Sequence, residues 1–504
     1  MYSNDVLKQT SKVFLIFIIS VVIGIVSVVS EQIDLFGYNL GLFLVLFSLL
    51  STLLAIIVIY YGLIPVLGLL LFLTLSFNIE VPLISQGEYG YSANHPTGLR
   101  AAVVINQFYV IIIVWFLASL LSRKFHSSNN EFKITLEFIL FALMGIFGLV
   151  SLLLGENKLA SFYPLLRLFF ILLLFYSFST LSLEKIWKSL ISSAVFIVIF
   201  QFLIGVIQIF TGRAVGLEIL GESSEPFRAT SLVSISERGM SGTLEHPGVL
   251  GLFIVLVFTF IFSSYLNLSN SNNMIILFTI FLSLSTVILT NARTSMVLLL
   301  ANFLILIIGS LYIRKRNGYP VKRLYYTIAT GFIALTACII IAFDSLYNRF
   351  GDSDFIYQIY YRSYLSQMSL DIFTDNLKTI FFGIGLNNYT DVVSKLGEGF
   401  EYSNPVHNLY LLNLVEGGIL FFLAYLLLLM TVIFKMITVI FKGNFKHAIM
   451  ALCVLSFMAV LCVYNFTGWS GYKNQTFIFF AINCIVSSKI YWEFKNNWSE
   501  KNYY

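Results

Sequence analysis

Apolar runs of about 20 residues alternate with shorter polar connections from one end of the chain to the other. A helix of that length rises roughly 30 Å and crosses the hydrocarbon core of a bilayer. The pattern predicts an all-α fold: a polytopic helical integral membrane protein with about fourteen transmembrane helices in a single domain over residues 1–504. The predicted spans are 13–30, 39–59, 62–78, 101–121, 134–154, 162–181, 189–210, 247–266, 274–290, 295–313, 324–343, 407–434, 447–465 and 475–490.

One connection, residues 344–406, is much longer than the others and predicts one large, partly helical external loop. Asp354 can cap a helix that starts near Phe355, and the apolar residues and tyrosines that follow have the spacing of a helix at a membrane interface. Gly383-x-Gly385 predicts a turn before a second polar helix. The loop ends in Asn404-Pro405-Val406-His407-Asn408, which leads directly into an apolar run.

The composition agrees with a membrane protein. The chain is 58% hydrophobic and 11% charged, whereas a soluble globular protein carries about 25% charged residues. The four cysteines lie inside apolar runs without a CxxC pair, which predicts neither a disulfide framework nor a zinc site. The first apolar run has no convincing cleavage site, so we expect it to be retained as a span.

Charge sets the expected orientation. With both termini in the cytoplasm, the inner segments hold 18 of the 30 basic residues and 6 of the 25 acidic ones, a net charge of +12. The outer segments then carry a net charge of −7, and the two values sum to +5. Cytoplasmic loops of membrane proteins carry an excess of lysine and arginine, so the split predicts an N-in, C-in protein.

Arginine departs from this sorting, because 8 of the 12 arginines fall on the predicted outer side but only 4 of the 18 lysines do. A guanidinium is a planar fork of donors that binds phosphate in two-pronged fashion. The asymmetry therefore indicates a phosphate-binding site on the outer face, although scattered arginines paired with outer acids remain an alternative. The eight are Arg100, Arg167, Arg213, Arg228, Arg238, Arg293, Arg349 and Arg362.

Three of these arginines lie in distinctive surroundings. Arg238 starts the segment Arg-Gly-Met-Ser-Gly-Thr-Leu-Glu-His-Pro-Gly, in which Pro247 suits the first turn of a helix. Arg293 lies between two apolar runs with almost no loop, and an arginine so near hydrocarbon needs a partner. That partner is an external lipid diphosphate or an acid from another loop. Arg362 lies in the predicted external helix.

Together with His407-Asn408 and a glycine, Gly418, that follows Asn408 after nine intervening residues, these elements resemble the signature of the bacterial O-antigen ligase and polymerase superfamily. The resemblance covers residues 230–420 by motif and most of the chain by topology. It implies transfer of a glycan from undecaprenyl diphosphate to an acceptor hydroxyl on the outer face of the bacterial cytoplasmic membrane. It implies His407 as the catalytic residue and substrate-binding roles for four residues. These four are Arg238, Arg293, Arg362 and Asn408.

The same resemblance bears on partners and acceptors. It implies membrane lipid, a flippase and a chain-length regulator as partners, with no cofactor, no metal and no nucleic acid. The ligase signature continues with Gly, Thr or Tyr three residues after the glycine, where this chain has Phe421. This difference favours a polysaccharide polymerase, as in capsule and teichuronic acid synthesis, over a ligase that serves a terminal acceptor such as lipid A-core.

Other interpretations remain open at this stage. His407 could be a helix-capping or interfacial histidine, although an unperturbed imidazole is neutral near working pH and suits a base or hydrogen-bond partner. His95 and His246 are weaker candidates. Asp352-Ser353-Asp354 has the form of a metal-binding motif but is more typical of a turn and helix cap. A flippase or other transporter is the alternative from another class. Transporters tend to have repeat-related halves, whereas this chain has one dominant external loop and its charge-bearing motifs on one face.

Overall fold

The computed structural model describes residues 34–35, 38–39, 62–82, 104–125, 132–155, 157–223, 239–267, 273–322, 324–326, 354–396, 405–468 and 470–501. These residues are mostly α-helical, and the rest form connecting turns, short 3-10 turns and two short antiparallel strand pairs. Strand β1 (Asp34–Leu35) pairs with β2 (Tyr38–Asn39), and β3 (Glu80–Pro82) pairs with β4 (Val104–Asn106). The predicted spans 13–30, 39–59 and 324–343 lie almost wholly outside the described residues.

The helices follow the apolar runs. They are α1 (Leu63–Thr74), α2 (Gln107–Phe125), α3 (Leu136–Leu154), α4 (Lys158–Phe178), α5 (Leu183–Thr211), α6 (Pro247–Asn267), α7 (Asn273–Leu289), α8 (Arg293–Arg316), α9 (Asp354–Thr374), α10 (Leu377–Phe382), α11 (Tyr389–Leu396), α12 (Leu409–Lys442), α13 (Phe445–Tyr464) and α14 (Asn474–Lys501).

Within the described residues, eight helices are long and apolar enough to cross a membrane: α3, α4, α5, α6, α8, α12, α13 and α14. Helices α1, α2 and α7 are shorter and apolar. These eleven helices coincide with eleven of the predicted spans, so the prediction of a polytopic helical membrane protein is confirmed. The total of about fourteen spans stays a prediction.

Helix α6 lies at the centre of the bundle. Its apolar residues cover every face, and the helix is buried along its span against α5, α7, α8 and α13. A helix that is hydrophobic all round belongs in such a buried position. Helix α3 differs, because Ile146, Leu149 and Leu153 remain exposed along one side. That exposed apolar side is what a lipid-facing helix presents.

One end of the bundle, which we call the basic end, is rich in cations. Lys435 on α12 forms an ion pair with the buried carboxylate of Glu137 at 2.7 Å. Lys489 donates to the carbonyl of Leu181 at 2.7 Å. Arg314 and Arg316, in the last turn of α8, donate to main-chain carbonyls of other helices. Cations in the last turn also interact favourably with the helix dipole.

The opposite end, which we call the site end, is tied together by polar contacts between segments far apart in the chain. The carboxylate of Glu245 accepts a hydrogen bond from Asn78 at 2.7 Å and pairs with Lys473 at 3.0 Å. The Leu409 N–H donates to the Asn465 carbonyl at 2.8 Å. The described part of the long loop, α9 to α11, packs on α12 at this end.

Candidate functional site

His407 lies at the entry to α12. Pro405 and Val406 before it are buried, His407 itself is half-buried, and Asn408 is the N-cap of the helix. The Asn408 side chain accepts hydrogen bonds from the N–H groups of Tyr410 at 3.0 Å and Leu411 at 3.2 Å. Asparagine is a favoured N-cap because its oxygen satisfies helix donors that lack an internal partner. The cap explains Asn408 locally, and its substrate-binding role stays a prediction.

Arg362 on α9 meets this entry from the long loop that precedes α12. Its Nη1 donates to the carbonyl of Thr467 at 3.3 Å, two residues beyond the Asn465 carbonyl that accepts the Leu409 N–H. Burial lowers the pKa of Arg362, but a guanidinium remains a cation at any physiological pH. The turn after α13 therefore holds Arg362 and the start of α12 beside each other.

The same surroundings set the protonation state of His407. Burial, together with the positive charge of Arg362 and the neighbouring ring of His246, lowers the pKa of His407 to about 4, and a hydrogen bond with the Pro405 main chain partly opposes the shift. The imidazole is therefore neutral at neutral pH. A neutral ring can accept a hydrogen bond from a hydroxyl group through one nitrogen.

His246 completes this group from the turn before α6. Its ring is exposed at the surface, and its Nδ1 accepts the Gly248 N–H at 3.0 Å. The preceding residue, Glu245, has a positive φ of 64°, a conformation that a non-glycine residue rarely adopts. Its bonds to Asn78 and Lys473 hold it there. Sequence reasoning gave His246 less weight, because no local pattern places it beside His407.

Arg293 is the first residue of α8, half-buried, at the site end. The turn before it packs against the segment that leads to His246: the Met240 N–H donates to the Leu289 carbonyl at 3.0 Å. Gly239 permits this approach, because an added Cβ there would lie 2.0 Å from the Thr290 oxygen. Arg238 lies outside the described residues, so its predicted role is not tested.

Gly418 interrupts α12, with φ 72° and ψ 178°. The predicted span 407–434 is therefore a broken helix rather than a continuous one. The break frees two carbonyls, which accept N–H groups from the predicted glycine turn: Ile384 donates to Val415 at 3.0 Å and Gly385 donates to Glu416 at 3.1 Å. The Gly-x-Gly turn and the glycine of the His-Asn motif are thus two sides of one contact.

This contact is close enough to require glycine on both sides. A Cβ on Gly383 would lie 2.2 Å from the Glu416 oxygen, and one on Gly418 would lie 2.4 Å from the Phe381 oxygen. Both residues also have positive φ values, which only glycine adopts readily. The two motifs recognised in the sequence therefore have a packing reason as well as a place in the signature.

Phe421 is buried one turn past the break and packs against Gly417. It lines a small internal cavity together with Arg167, Asn413, Tyr425 and Asn465. Arg167 was counted above among the outer arginines, but it is instead buried inside α4. Its guanidinium lies 4.0 Å from the Phe477 ring centroid, where a cation–π interaction is favourable.

The described ranges contain no group of three His, Cys, Asp or Glu residues arranged to hold a metal ion. Of the sequence Asp352-Ser353-Asp354, only the last residue is described, and it begins α9. Of the two roles that the sequence allowed for Asp354, metal binding and a place at a turn before a helix, its position at the beginning of α9 fits the second.

Fold and site together define a multi-pass membrane protein with arginine and histidine side chains gathered at one end of a helical bundle. Residues 278–426 match the family model of O-antigen ligase. The predicted resemblance to the O-antigen ligase and polymerase superfamily is thereby confirmed over this segment, which contains Arg293, Arg362, His407 and Gly418. No curated protein matches the chain.

Proposed function

We propose that this protein is a membrane glycosyltransferase that moves a glycan from a polyprenyl diphosphate onto an acceptor hydroxyl. The observation that carries the proposal is that Arg362 and His407, both inside the segment matched by the O-antigen ligase family, meet beside the turn after α13. A fixed cation suits the diphosphate of the donor, and a neutral imidazole suits the acceptor hydroxyl.

The distribution of charge supports transfer at the outer face. The basic end carries Arg314, Arg316 and Lys435, and the excess of lysine and arginine in a membrane protein faces the cytoplasm. With that end inside, the site end meets the outer leaflet, where a lipid-linked donor can present its diphosphate. The N-in, C-in orientation is part of the same proposal.

The chemistry is a displacement at the anomeric carbon of the donor. The acceptor oxygen forms a bond to that carbon, the bond from the carbon to the diphosphate oxygen breaks, and polyprenyl diphosphate leaves with the bonding electrons. Negative charge grows on the leaving oxygen, and preorganised donors stabilise such charge best in a site screened from water. Arg362 and Arg293 are the proposed donors, and Arg238 is a third candidate.

His407 orients the acceptor hydroxyl rather than storing its proton. General-base catalysis is most efficient when the pKa of the base lies near the working pH, whereas the pKa of His407 is lowered to about 4. Its neutral ring accepts a hydrogen bond from the hydroxyl and directs the oxygen lone pair at the anomeric carbon. The proton of the hydroxyl is taken up by the departing polyprenyl diphosphate, so the step balances without water in the site.

We favour a polymerase, in which the acceptor is the end of another lipid-linked glycan. Phe421 supports this choice, because a large apolar side chain fills the buried position where the ligase signature has Gly, Thr or Tyr. A ligase that adds a glycan once to a terminal acceptor is the second candidate, supported by the description of the matched family. Product length separates them: a polymerase gives a ladder and a ligase gives a single addition.

The function is tested by replacing His407 in a strain that makes the glycan. His407→Ala lowers transfer by about a hundredfold, because a misplaced acceptor hydroxyl loses the reacting geometry, while His407→Gln, which still forms hydrogen bonds, keeps part of the activity. His447→Gln at the basic end is the matched control. Lipid-linked glycan accumulates on the outer leaflet in the His407→Ala strain, whereas a flippase variant would trap it inside. Normal glycan from stable His407→Ala protein contradicts the proposal.

The diphosphate contacts are tested by Arg362→Lys and Arg293→Lys. Lysine keeps the charge but loses the two-pronged fork, so each substitution lowers transfer by about ten- to a hundredfold, equivalent to about 1.5–3 kcal/mol. Arg213→Lys is the matched control, because Arg213 is exposed. Wild-type transfer by both lysine variants at equal protein level would remove the arginines from the substrate site.

A further inference from the structure

Glu416 is a carboxylate buried in a membrane-spanning helix, two residues before the break at Gly418, with 1% of its surface exposed. An acid in such a place is costly and calls for a function. Its side-chain Oε1 accepts the Tyr389 N–H at 3.2 Å. Its main-chain oxygen accepts the Ser151 hydroxyl at 2.7 Å. Glu416 therefore joins α12 to α3 and to the start of α11.

Tyr389 extends this connection to the helix that carries Arg362. Its hydroxyl shares a hydrogen bond with Ser369 at 2.8 Å and reaches the Leu365 carbonyl at 3.3 Å. Both partners lie on α9, within two turns of Arg362. Burial raises the pKa of Tyr389 to about 12, so the hydroxyl keeps its proton and can donate at neutral pH.

Glu416 lies at the far end of the first part of α12, the short half-helix from Leu409 to the break at Gly418, which begins beside His407. Nine residues separate His407 from Glu416, which places them roughly 14 Å apart along the axis. The half-helix is also held at its start by the bond from the Leu409 N–H to Asn465. Glu416 therefore cannot contact a substrate at His407, but it fixes the segment on which His407 is mounted.

We propose that Glu416, acting through Tyr389, sets the spacing between His407 on the α12 half-helix and Arg362 on α9, and is a positioning residue for glycan transfer. The proposal rests on the proposed function. Transfer needs the acceptor hydroxyl at His407 and the diphosphate at Arg362 in one geometry, and small displacements of such groups cost large factors in rate. Through Tyr389, the buried carboxylate of Glu416 connects the half-helix that follows His407 to α9, which carries Arg362.

The spacing is measured by spin labels on cysteines at Tyr360 of α9, which is exposed, and at Leu414 of α12, which is only partly buried and precedes the break, in a background without the native cysteines. Glu416→Gln keeps an oxygen for the Tyr389 N–H and leaves the distance distribution narrow. Glu416→Ala broadens it. Ser369→Ala, which removes one of the two α9 partners of the Tyr389 hydroxyl, broadens it too. An unchanged distribution in both alanine variants overturns the proposal.

Transfer is measured on the same variants without labels. Ser369→Ala lowers it by about three- to tenfold, as expected for one lost hydrogen bond. Ser177→Ala is the matched control, because that buried hydroxyl donates to Leu173 within its own helix. In an Arg362→Lys background Ser369→Ala causes no further loss, since a positioning residue acts through the group it positions. Additive losses overturn the proposal.

Two outcomes keep the proposals separate. If Glu416→Ala does not yield folded protein, Ser369→Ala and Tyr389→Phe decide, because each removes only a hydroxyl group. If the wild-type protein transfers no glycan but the labels respond as expected, the proposed function fails. The connection between α12 and α9 is then confirmed as a structural contact with no role in glycan transfer.

Discussion

The break in α12 gives the sharpest prediction for stability. Gly418→Ala places a methyl group 2.4 Å from the Phe381 oxygen in a backbone conformation with φ 72°. That conformation costs a non-glycine residue about 1–3 kcal/mol. Relief of the clash moves α10 away and breaks the two hydrogen bonds from Ile384 and Gly385, each worth about 1 kcal/mol. The expected loss is therefore about 3–5 kcal/mol.

Thermal and denaturant unfolding of purified protein in detergent measure this loss. Gly145→Ala is the matched control, because Gly145 lies inside α3 and an added Cβ there meets nothing within 4 Å. Alanine at that helical position leaves stability unchanged or raises it by up to about 1 kcal/mol. A Gly418→Ala protein as stable as the wild type would mean that α12 does not need its break, and the account of the glycine motif would be wrong.

Three further predictions concern other parts of the molecule. The pKa of His407 in the folded protein lies below its ordinary value of 6.5, so the unfolded chain binds a proton more readily than the folded one. The free energy of unfolding is therefore greatest above pH 6.5 and falls by about 3 kcal/mol as the pH drops to 4. His407→Gln removes that pH dependence in unfolding experiments. Lys435→Met leaves the carboxylate of Glu137 buried without its ion-pair partner and destabilises the protein by about 3–5 kcal/mol in the same assay. An impermeant thiol reagent applied to intact cells labels a cysteine at Tyr360 but not one at Asn317, and the reverse pattern contradicts the proposed orientation.

The sequence was informative wherever local physics determines structure. Apolar length predicted the helices, because a membrane span must satisfy its own main chain and helices do so. The glycines at 383 and 385 marked the turn in the long loop before α12, because a positive φ is a property of single residues. His407 at the mouth of a span was visible for the same local reason.

The sequence was less informative about contacts between distant segments. Nothing in the helical pattern shows that the α12 break receives the turn at Gly383, or that Arg167 lies buried against Phe477 rather than on the outer surface. Glu416 could have been singled out, since an acid inside an apolar run is a functional signal by default. Its partner Tyr389 could not, because the connection exists only after folding.

The central claim is glycan transfer at the site that His407 and Arg362 share, and reconstitution tests it most directly. Purified protein in liposomes receives polyprenyl-diphosphate-linked glycan, and the reaction is followed by glycan length and by released polyprenyl diphosphate. We predict a ladder of longer glycans with one polyprenyl diphosphate released for each unit added, and no ladder from His407→Ala protein. Liposomes in which the wild type releases no polyprenyl diphosphate, or in which His407→Ala releases as much, would contradict the account.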